Sequence, residues 1–244
     1  MESATLYINS VSSLHYVTKV LRMKRLVIFD LDGTLLNTID DLGTAANHAL
    51  TALGFPTHPI TAYPYFVGNG ITRLLERVLP EDHRDHASVE VARKYFKEYY
   101  NQHLTDLTRP YPGIVDLLRD LRANDINIAV ASNKYQKAVE ELVNHFFGDL
   151  TWAAVEGNKD DYPVKPDPSI VFDILGKCPT PKSDVLYVGD SGVDMETARR
   201  ACVESVGVTW GFRPAAELRR FYADHIVSTT SEILTLATAV NPED

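Results

Sequence analysis

The chain has 244 residues, 45% of them hydrophobic, and a formal net charge of −9. This length suits one large domain or two modest domains with a buried core, and the lack of any basic run argues against nucleic-acid binding. The two cysteines, Cys178 and Cys202, lack the spacing of a zinc site, which fits a reducing cytoplasm. No apolar stretch reaches the ~20 residues of a membrane-spanning helix. We therefore expect neither a nucleic-acid nor a membrane partner.

The first 22 residues differ from the rest in having no clear pattern. They mix apolar, polar and basic side chains and lack the continuous apolar stretch of a signal peptide. Met23 stands directly before the first strand-like run. We treat residues 1–22 as an N-terminal extension of uncertain role.

Most of the remaining chain alternates between short apolar runs and helical patterns. The runs are rich in β-branched residues and mostly lack strict apolar–polar alternation, which is typical of strands covered on both faces. This alternation predicts an α/β fold with a doubly wound, mainly parallel sheet and a ligand site beyond the carboxyl ends of its strands. The predicted strands are 25–30, 126–131, 151–155, 184–189 and 205–209, and the predicted helices are 114–123, 135–147, 168–176 and 193–202.

Residues 38–108 break the alternation, because they show helical spacing and no good strand. The first predicted helix begins at Ile39 and ends before Gly54, and two more follow around 71–79 and 89–103. Pro112 and Gly113 then mark the return to the sheet. We predict an all-helical cap of residues 38–108, inserted into a core domain of residues 23–37 and 109–244.

Asp30 and Asp32 stand together where the first predicted strand ends. Residues i and i+2 of a strand point to the same side, so the two carboxylates should point in the same direction. Two like charges held close are costly unless a cation or a shared proton relieves them. The pair therefore predicts a site that binds a cation or moves a proton.

Three further short motifs follow a predicted strand or lie in a loop. Each has an ordinary structural explanation, because Asp and Ser often cap helices or form turns and a lysine before proline is usually solvated. Their order along one predicted rim of the sheet favours a common site instead. The four motifs are DLDGT (30–34), ASN (131–133), VKPDP (164–168) and VGDSGVD (188–194).

This set of motifs resembles the haloacid dehalogenase-like (HAD) superfamily, and a helical insert directly after the first motif is similar to its C1-capped subfamily. The resemblance covers residues 25–230. It implies a Rossmann-like core and phosphoryl-transfer chemistry. Asp32 argues against dehalogenation, because a halide leaving group needs no acid.

The resemblance also implies roles for the acidic residues. Asp30 would be the nucleophile that forms an aspartyl-phosphate, and Asp32 would be the general acid and then the general base. Mg²⁺ would be held by the carboxylates of Asp30 and Asp190 and by the backbone carbonyl of Asp32. Asp194 would orient the metal shell or a lysine rather than bind metal itself.

Phosphate binding is the next role that the resemblance implies. The Ser132 hydroxyl and the backbone amide of Asn133 would hold phosphate oxygens. Lys165 would neutralise charge on the phosphoryl group during transfer. Gly33 would let backbone amides approach the phosphate closely.

The cap contains one feature that bears on substrate choice, the stretch FVGNG at 66–70. Gly68, Asn69 and Gly70 precede a helix, whose N-terminal amides suit an anion, although an ordinary helix start would look the same. The stretch is similar to phosphoglycolate phosphatases, which implies 2-phosphoglycolate as the substrate. Arg73, one turn into that helix, is a further candidate for binding a carboxylate.

Other functions stay open on the sequence alone. A sugar-phosphate phosphatase or a β-phosphoglucomutase-like phosphotransferase of the same family is the main alternative. A catalytically inactive scaffold is less expected, because Asp30, Asp32, Lys165 and Asp190 are all present. The sequence predicts no oligomeric state.

Overall fold

The computed structural model describes residues 23–159 and 162–239. The predicted N-terminal extension, residues 1–22, therefore lies outside the described residues. Within the two described ranges we find no helix with the length and hydropathy that a membrane span requires.

Six parallel strands form the main sheet, and two very short antiparallel strands pair beside it. Numbered along the chain, the strands are β1 Leu26–Phe29, β2 Leu36–Asn37, β3 Arg109–Pro110, β4 Asn127–Tyr135, β5 Ala154–Asn158, β6 Val185–Gly189, β7 Glu204–Val208 and β8 His225–Val227. The order across the main sheet is β5-β4-β1-β6-β7-β8, and every neighbouring pair is parallel. The predicted α/β fold with a doubly wound parallel sheet is confirmed.

Helices fill the connections between the strands. They are α1 Ile39–Ala52, α2 Gly70–Val78, α3 His86–Tyr100, α4 Ile114–Ala123, α5 Gln136–Phe147, α6 Ser169–Lys177, α7 Gly192–Ala201, α8 Ala215–Arg220 and α9 Thr230–Thr238. Short 3-10 helices lie at Ile60–Tyr65, Glu81–His83 and Lys182–Asp184. The segment between β2 and β3 contains only helices, as predicted; we call residues 38–108 the helical insert.

Side chains of β1 show why the apolar runs lack alternation. Leu26 and Ile28 join an apolar cluster on one face of the sheet, whereas Val27 and Phe29 join a second cluster on the other face. All four side chains are fully buried, and burial of such side chains contributes about 1.5–3 kcal/mol each. Because both faces of the strand are covered, neither face carries polar side chains. The two-residue period of a strand therefore does not appear in the sequence.

A buried carboxylate joins the two ends of the helical insert. Asp41 in α1 accepts hydrogen bonds from the backbone amides of Leu107 and Thr108, at 3.0 and 2.8 Å, and from the Thr108 hydroxyl at 2.7 Å. The outgoing chain and the returning chain are thereby held side by side. The two ends of the insert therefore leave and return to the sheet domain next to each other, beside the paired strands β2 and β3.

The structure corrects one boundary that matters for the site. The sequence placed Ser132 just past a strand ending at residue 131, but β4 continues to Tyr135. Its pairing with β5 is interrupted between Ala131 and Tyr135 and resumes at Asn158. The polar residues 132–134 are therefore part of the strand and not of a loop.

Candidate active site

Three neighbouring strands deliver the acidic and polar side chains to one edge of the sheet. Asp30 follows β1, Ser132 lies in β4, and Asp190 follows β6. The amide of Asp30 donates to the Val188 carbonyl at 2.9 Å, which extends the β1–β6 pairing to the aspartate itself. The carboxylates of Asp30, Asp190 and Asp194 are buried, with one oxygen of each within 4.8 Å of the others. The ends of β1 and β6 and the first turn of α7 thus bring together three of the acids in the predicted motifs.

Lys165 lies at the centre of this group. Its ammonium nitrogen is 2.8 Å from Oδ1 of Asp30 and 2.8 Å from Oδ1 of Asp194, and it donates to the Ala131 carbonyl at 2.9 Å. Burial opposes its charge, but the carboxylates of Asp194 and Asp30 outweigh burial and raise the pKa of Lys165 well above its usual value. Lys165 is therefore a fixed cation.

Asp194 has its second oxygen occupied as well. Oδ2 accepts from the Ser191 amide at 3.1 Å and from the Ser191 hydroxyl at 2.6 Å, which closes a capping box at the start of α7. One oxygen thus holds Lys165 while the other holds the helix start. This arrangement agrees with a role in orienting Lys165.

The three buried carboxylates carry more negative charge than the single positive charge of Lys165 neutralises. Three carboxylates and one ammonium leave a net charge of −2 when all are ionised. Burial raises the pKa of Asp30 to about 7, against the pull of Lys165. Burial, reinforced by Asp194, raises the pKa of Asp190 well above its usual value. A divalent cation would relieve this excess, because a nearby opposite charge favours the ionised carboxylate.

Close packing around Asp190 adds to this fit. Gly33 has φ +87°, and a Cβ at this position would lie 2.5 Å from Oδ2 of Asp190. The amide of Phe212 donates to the same oxygen at 2.6 Å. An all-oxygen set of buried, oriented carboxylates is what a hard divalent cation binds. The residues present therefore fit a divalent metal.

Asp32 faces different partners from those of Asp30. Its Oδ1 accepts from the Thr38 hydroxyl at 2.7 Å and lies 3.0 Å from the ammonium of Lys134. Lys134 also donates to the Tyr100 hydroxyl of α3 at 2.9 Å. The sequence analysis missed Lys134, although its spacing of two residues from Ser132 in an apolar strand was a usable signal.

The side chain of Asn133 connects three parts of the site. Its Oδ1 accepts from the Lys165 amide at 2.8 Å, and its Nδ2 donates to the carbonyls of Lys165 and Gly68, both at 3.1 Å. The second motif, the third motif and the 66–70 stretch of the insert are therefore joined by one amide group. The backbone amide of Asn133 remains our predicted phosphate ligand, together with the Ser132 hydroxyl.

A cavity of about 50 Å³ lies between the sheet edge and the insert. Gly68 and Gly70 contribute to its wall, at φ +106° and +80°, and Asp30, Asp32, Ser132 and Asn133 contribute from the sheet. Asn69 accepts from the Arg77 guanidinium at 2.8 Å, which braces the stretch against α2. Arg73 is not brought to the cavity: its side chain is 65% exposed and pairs with Glu76.

The loop after β7 is a part of the site that sequence reasoning missed. Arg213 donates to the carbonyls of Pro64 and Val67, the latter at 3.0 Å, and its guanidinium lies 5.9 Å from the ring centre of Tyr65. Arg213 thus bonds the sheet side to the insert beside the cavity.

Comparison with known proteins decides the family. A model of the haloacid dehalogenase-like hydrolases matches residues 27–208. The chain belongs to this family. The resemblance that the four motifs carried is therefore confirmed.

Individual relatives agree with the family match. A phosphoglycolate phosphatase of Pseudomonas putida is 34% identical over 194 residues, covering 78% of this chain and 71% of the relative. One from Haemophilus influenzae is 28% identical and covers 87% of this chain and 97% of the relative. The crystal structure of a predicted phosphoglycolate phosphatase from Haemophilus somnus superposes with a TM-score of 0.80 at 27% identity, covering 88% of this chain and 98% of that one. The chain is a phosphatase of the HAD family.

Proposed function

We propose that this phosphatase is a Mg²⁺-dependent phosphomonoester hydrolase whose substrate is 2-phosphoglycolate and whose reaction passes through an aspartyl-phosphate at Asp30. The observation that carries the proposal is the buried group of Asp30, Asp190 and Asp194, in which Lys165 pairs with Asp30 and Asp194 and Asp30 lines a small cavity. A nucleophile beside a fixed cation suits phosphoryl transfer, which depends mainly on positioning and charge stabilisation.

In the first half of the reaction, an Asp30 oxygen forms a bond to phosphorus while the bond from phosphorus to the ester oxygen breaks. Asp32 donates a proton to the departing oxygen. Lys165 neutralises charge on the phosphoryl oxygens, and the Ser132 hydroxyl with the Asn133 amide holds them. The product of this half is free glycolate and a phosphorylated Asp30.

In the second half, Asp32 accepts a proton from water as the water oxygen bonds to phosphorus. The bond between phosphorus and Asp30 breaks, which releases phosphate and restores the carboxylate. The same carboxyl group therefore acts as acid first and as base second. The hydrogen bond that it accepts from Thr38 and its ion pair with Lys134 keep it in place through both steps.

The metal would be held by the carboxylates of Asp30 and Asp190 and by the backbone carbonyl of Asp32. When bound, Mg²⁺ would supply charge stabilisation for the transferring phosphoryl group. Mg²⁺ is favoured over softer metals because the proposed ligands are all oxygen atoms.

The size of the cavity supports a short substrate. Its volume of about 50 Å³ leaves less room for a bulky leaving group than for a short one. The phosphoglycolate phosphatase relatives point the same way. A two-carbon acid fits beneath the insert more easily than a hexose.

Two wider features belong to the same proposal. Residues 38–108 would act as a cap domain over a core domain of residues 23–37 and 109–244. A cytoplasmic location is supported by the two unpaired cysteines, Cys178 and Cys202, since thiols persist in reducing compartments.

The test is a panel of phosphomonoesters assayed with Mg²⁺ and read as kcat/KM. The panel contains 2-phosphoglycolate, several hexose phosphates, nucleotides and p-nitrophenyl phosphate. We expect 2-phosphoglycolate to give the highest value. A preference of about tenfold or more for β-glucose 1-phosphate or another sugar phosphate would contradict the proposal, and no turnover of any ester would favour an inactive scaffold.

A further inference from the structure

Charge is distributed unevenly around the cavity. Among the described residues that line it, Lys134 is the cation, and Asp30 and Asp32 are the acids. The wall that the insert contributes is largely apolar, formed by Leu42, Val67, Ile71, Leu74 and Phe96. A substrate anion other than the phosphate would therefore meet one positive side chain in this part of the molecule.

Lys134 is almost fully buried, with 7% of its surface exposed, and neighbouring side chains hold its ammonium in place. Its ammonium lies 3.0 Å from Oδ1 of Asp32, donates to the Tyr100 hydroxyl at 2.9 Å and sits 4.9 Å from the centre of the Tyr100 ring. An ammonium has three N–H donors. The Tyr100 hydroxyl accepts from one of them and the Asp32 carboxylate lies at ion-pair distance from the ammonium, which leaves at least one N–H for a ligand in the cavity.

The position of Lys134 relative to the proposed phosphate site is also suitable. Ser132 and Lys134 are two residues apart in β4, both line the cavity, and the Lys134 amide donates to the Ser132 hydroxyl at 3.2 Å. A short ester whose phosphate lies at Ser132 and Asp30 would therefore direct its other end toward Lys134. In 2-phosphoglycolate that end is a carboxylate.

We propose that Lys134 binds the substrate carboxylate and thereby determines specificity for short phosphorylated acids. The inference rests on the proposed function, and it assigns the carboxylate to a side chain rather than to the amides of residues 68–70. An ammonium shielded from water interacts more strongly with a carboxylate than neutral amides do. Tyr100, which comes from the insert, orients this ammonium.

A second role for Lys134 is to position Asp32, and the test has to separate the two. Loss of a positioning contact would lower kcat for every ester by a common factor. Loss of a carboxylate ligand would raise KM for an ester that carries a carboxylate and have less effect on one that lacks it. The ratio of kcat/KM between two matched esters removes the common factor.

The experiment compares 2-phosphoglycolate with 2-hydroxyethyl phosphate, in which a CH₂OH group replaces the carboxylate. The variants are Lys134→Met, which removes the charge, and Lys134→Gln, which retains a hydrogen-bond donor for Tyr100 if the first variant fails to fold. Lys137→Met is the matched control, because the Lys137 side chain is 71% exposed and pairs with Glu141. Circular dichroism verifies the fold of each variant.

We expect the wild-type enzyme and the Lys137→Met control to prefer 2-phosphoglycolate, and the preference to fall about 10- to 100-fold in either Lys134 variant, mainly through KM. A preference that stays within about threefold of wild type would overturn the role of Lys134 and leave the proposed function standing. A wild-type enzyme with no preference for the carboxylate ester would overturn the proposed substrate, and the inference with it.

Discussion

The ammonium of Lys165 lies 2.8 Å from Oδ1 of Asp194, and both groups are almost completely buried. Lys165 comes from the loop before α6, whereas Asp194 comes from the first turn of α7. Because the other Asp194 oxygen is held by Ser191, Asp194 serves chiefly to fix the lysine. The carboxylate of Asp190 accepts a hydrogen bond only from the Phe212 amide among the described residues. It is therefore available to bind a metal.

This difference between the two aspartates predicts different responses to metal. EDTA should abolish the phosphatase activity and added Mg²⁺ should restore it. Ca²⁺ should restore less activity, because its coordination sphere is larger and looser. Asp190→Ala should raise the Mg²⁺ concentration needed for activity. Asp194→Ala should lower kcat with a smaller change in the Mg²⁺ requirement. Titrations of kcat against Mg²⁺ measure both effects, and a larger loss of metal affinity in Asp194→Ala would show that the ligand assignment is wrong.

The stability of the metal-free protein should depend on pH through Asp30. Burial raises the pKa of this carboxyl to about 7 in the folded protein, so its proton is bound more tightly in the folded state than in the unfolded chain. The stability it contributes is present at low pH and is lost as pH rises through about 7. With EDTA, Tm should therefore be lower at about pH 8 than at about pH 5.5.

Asp30→Asn provides the control for this pH effect, because it removes the titrating group. The variant should lose much of the decline in Tm with pH, and Mg²⁺ should reduce the decline in the wild-type protein. If the metal-free wild type instead became more stable from about pH 5.5 to about pH 8, burial would not be the dominant influence on these carboxyls.

Arg213 should hold the insert against the sheet side of the site. Its hydrogen bonds to the carbonyls of Pro64 and Val67 are lost in Arg213→Ala. We expect KM for 2-phosphoglycolate to rise about 3- to 10-fold and amide hydrogen exchange across residues 64–70 to become faster. Arg219→Ala, at an exposed position of α8, should change neither quantity. Unchanged exchange in Arg213→Ala would mean that other contacts hold the insert.

Asn69 should matter for the shape of the 66–70 stretch. Asn69→Leu removes the acceptor for Arg77 and adds bulk beside two glycines of the cavity wall. Its kcat/KM should fall more for 2-phosphoglycolate than for p-nitrophenyl phosphate, whose activated leaving group needs less from a closed lid. Arg73→Leu, on the exposed side of α2, is the control. An equal loss for both esters would make the stretch purely structural.

The parts of the fold that the sequence predicted are those with a clear apolar pattern. The long helices repeat their apolar residues with helical spacing, the buried strands are short continuous apolar runs, and the spacing of Asp30 and Asp32 placed both near the sheet edge. β8 has only three residues and α8 only six, which is too short for any period to appear. These elements therefore escaped prediction.

Contacts between distant segments also left no trace in the sequence. The Lys134–Tyr100 hydrogen bond joins residues 34 apart, and the Arg213–Val67 bond joins residues 146 apart. A lysine buried beside an aspartate looks the same in a sequence as a lysine exposed to water. Only packing of the insert on the sheet reveals which one it is.

The central claim is that Asp30 is the nucleophile of a phosphomonoesterase, and the kcat of Asp30→Asn on 2-phosphoglycolate with Mg²⁺ tests it most directly. The substitution keeps the shape of the side chain and removes its nucleophilic oxygen charge, so we expect turnover to fall to background. Asp120→Asn, at an exposed position of α4, should retain wild-type turnover. Retention by Asp30→Asn of more than about a tenth of wild-type kcat, which corresponds to less than ~1.4 kcal/mol of barrier, would contradict the account.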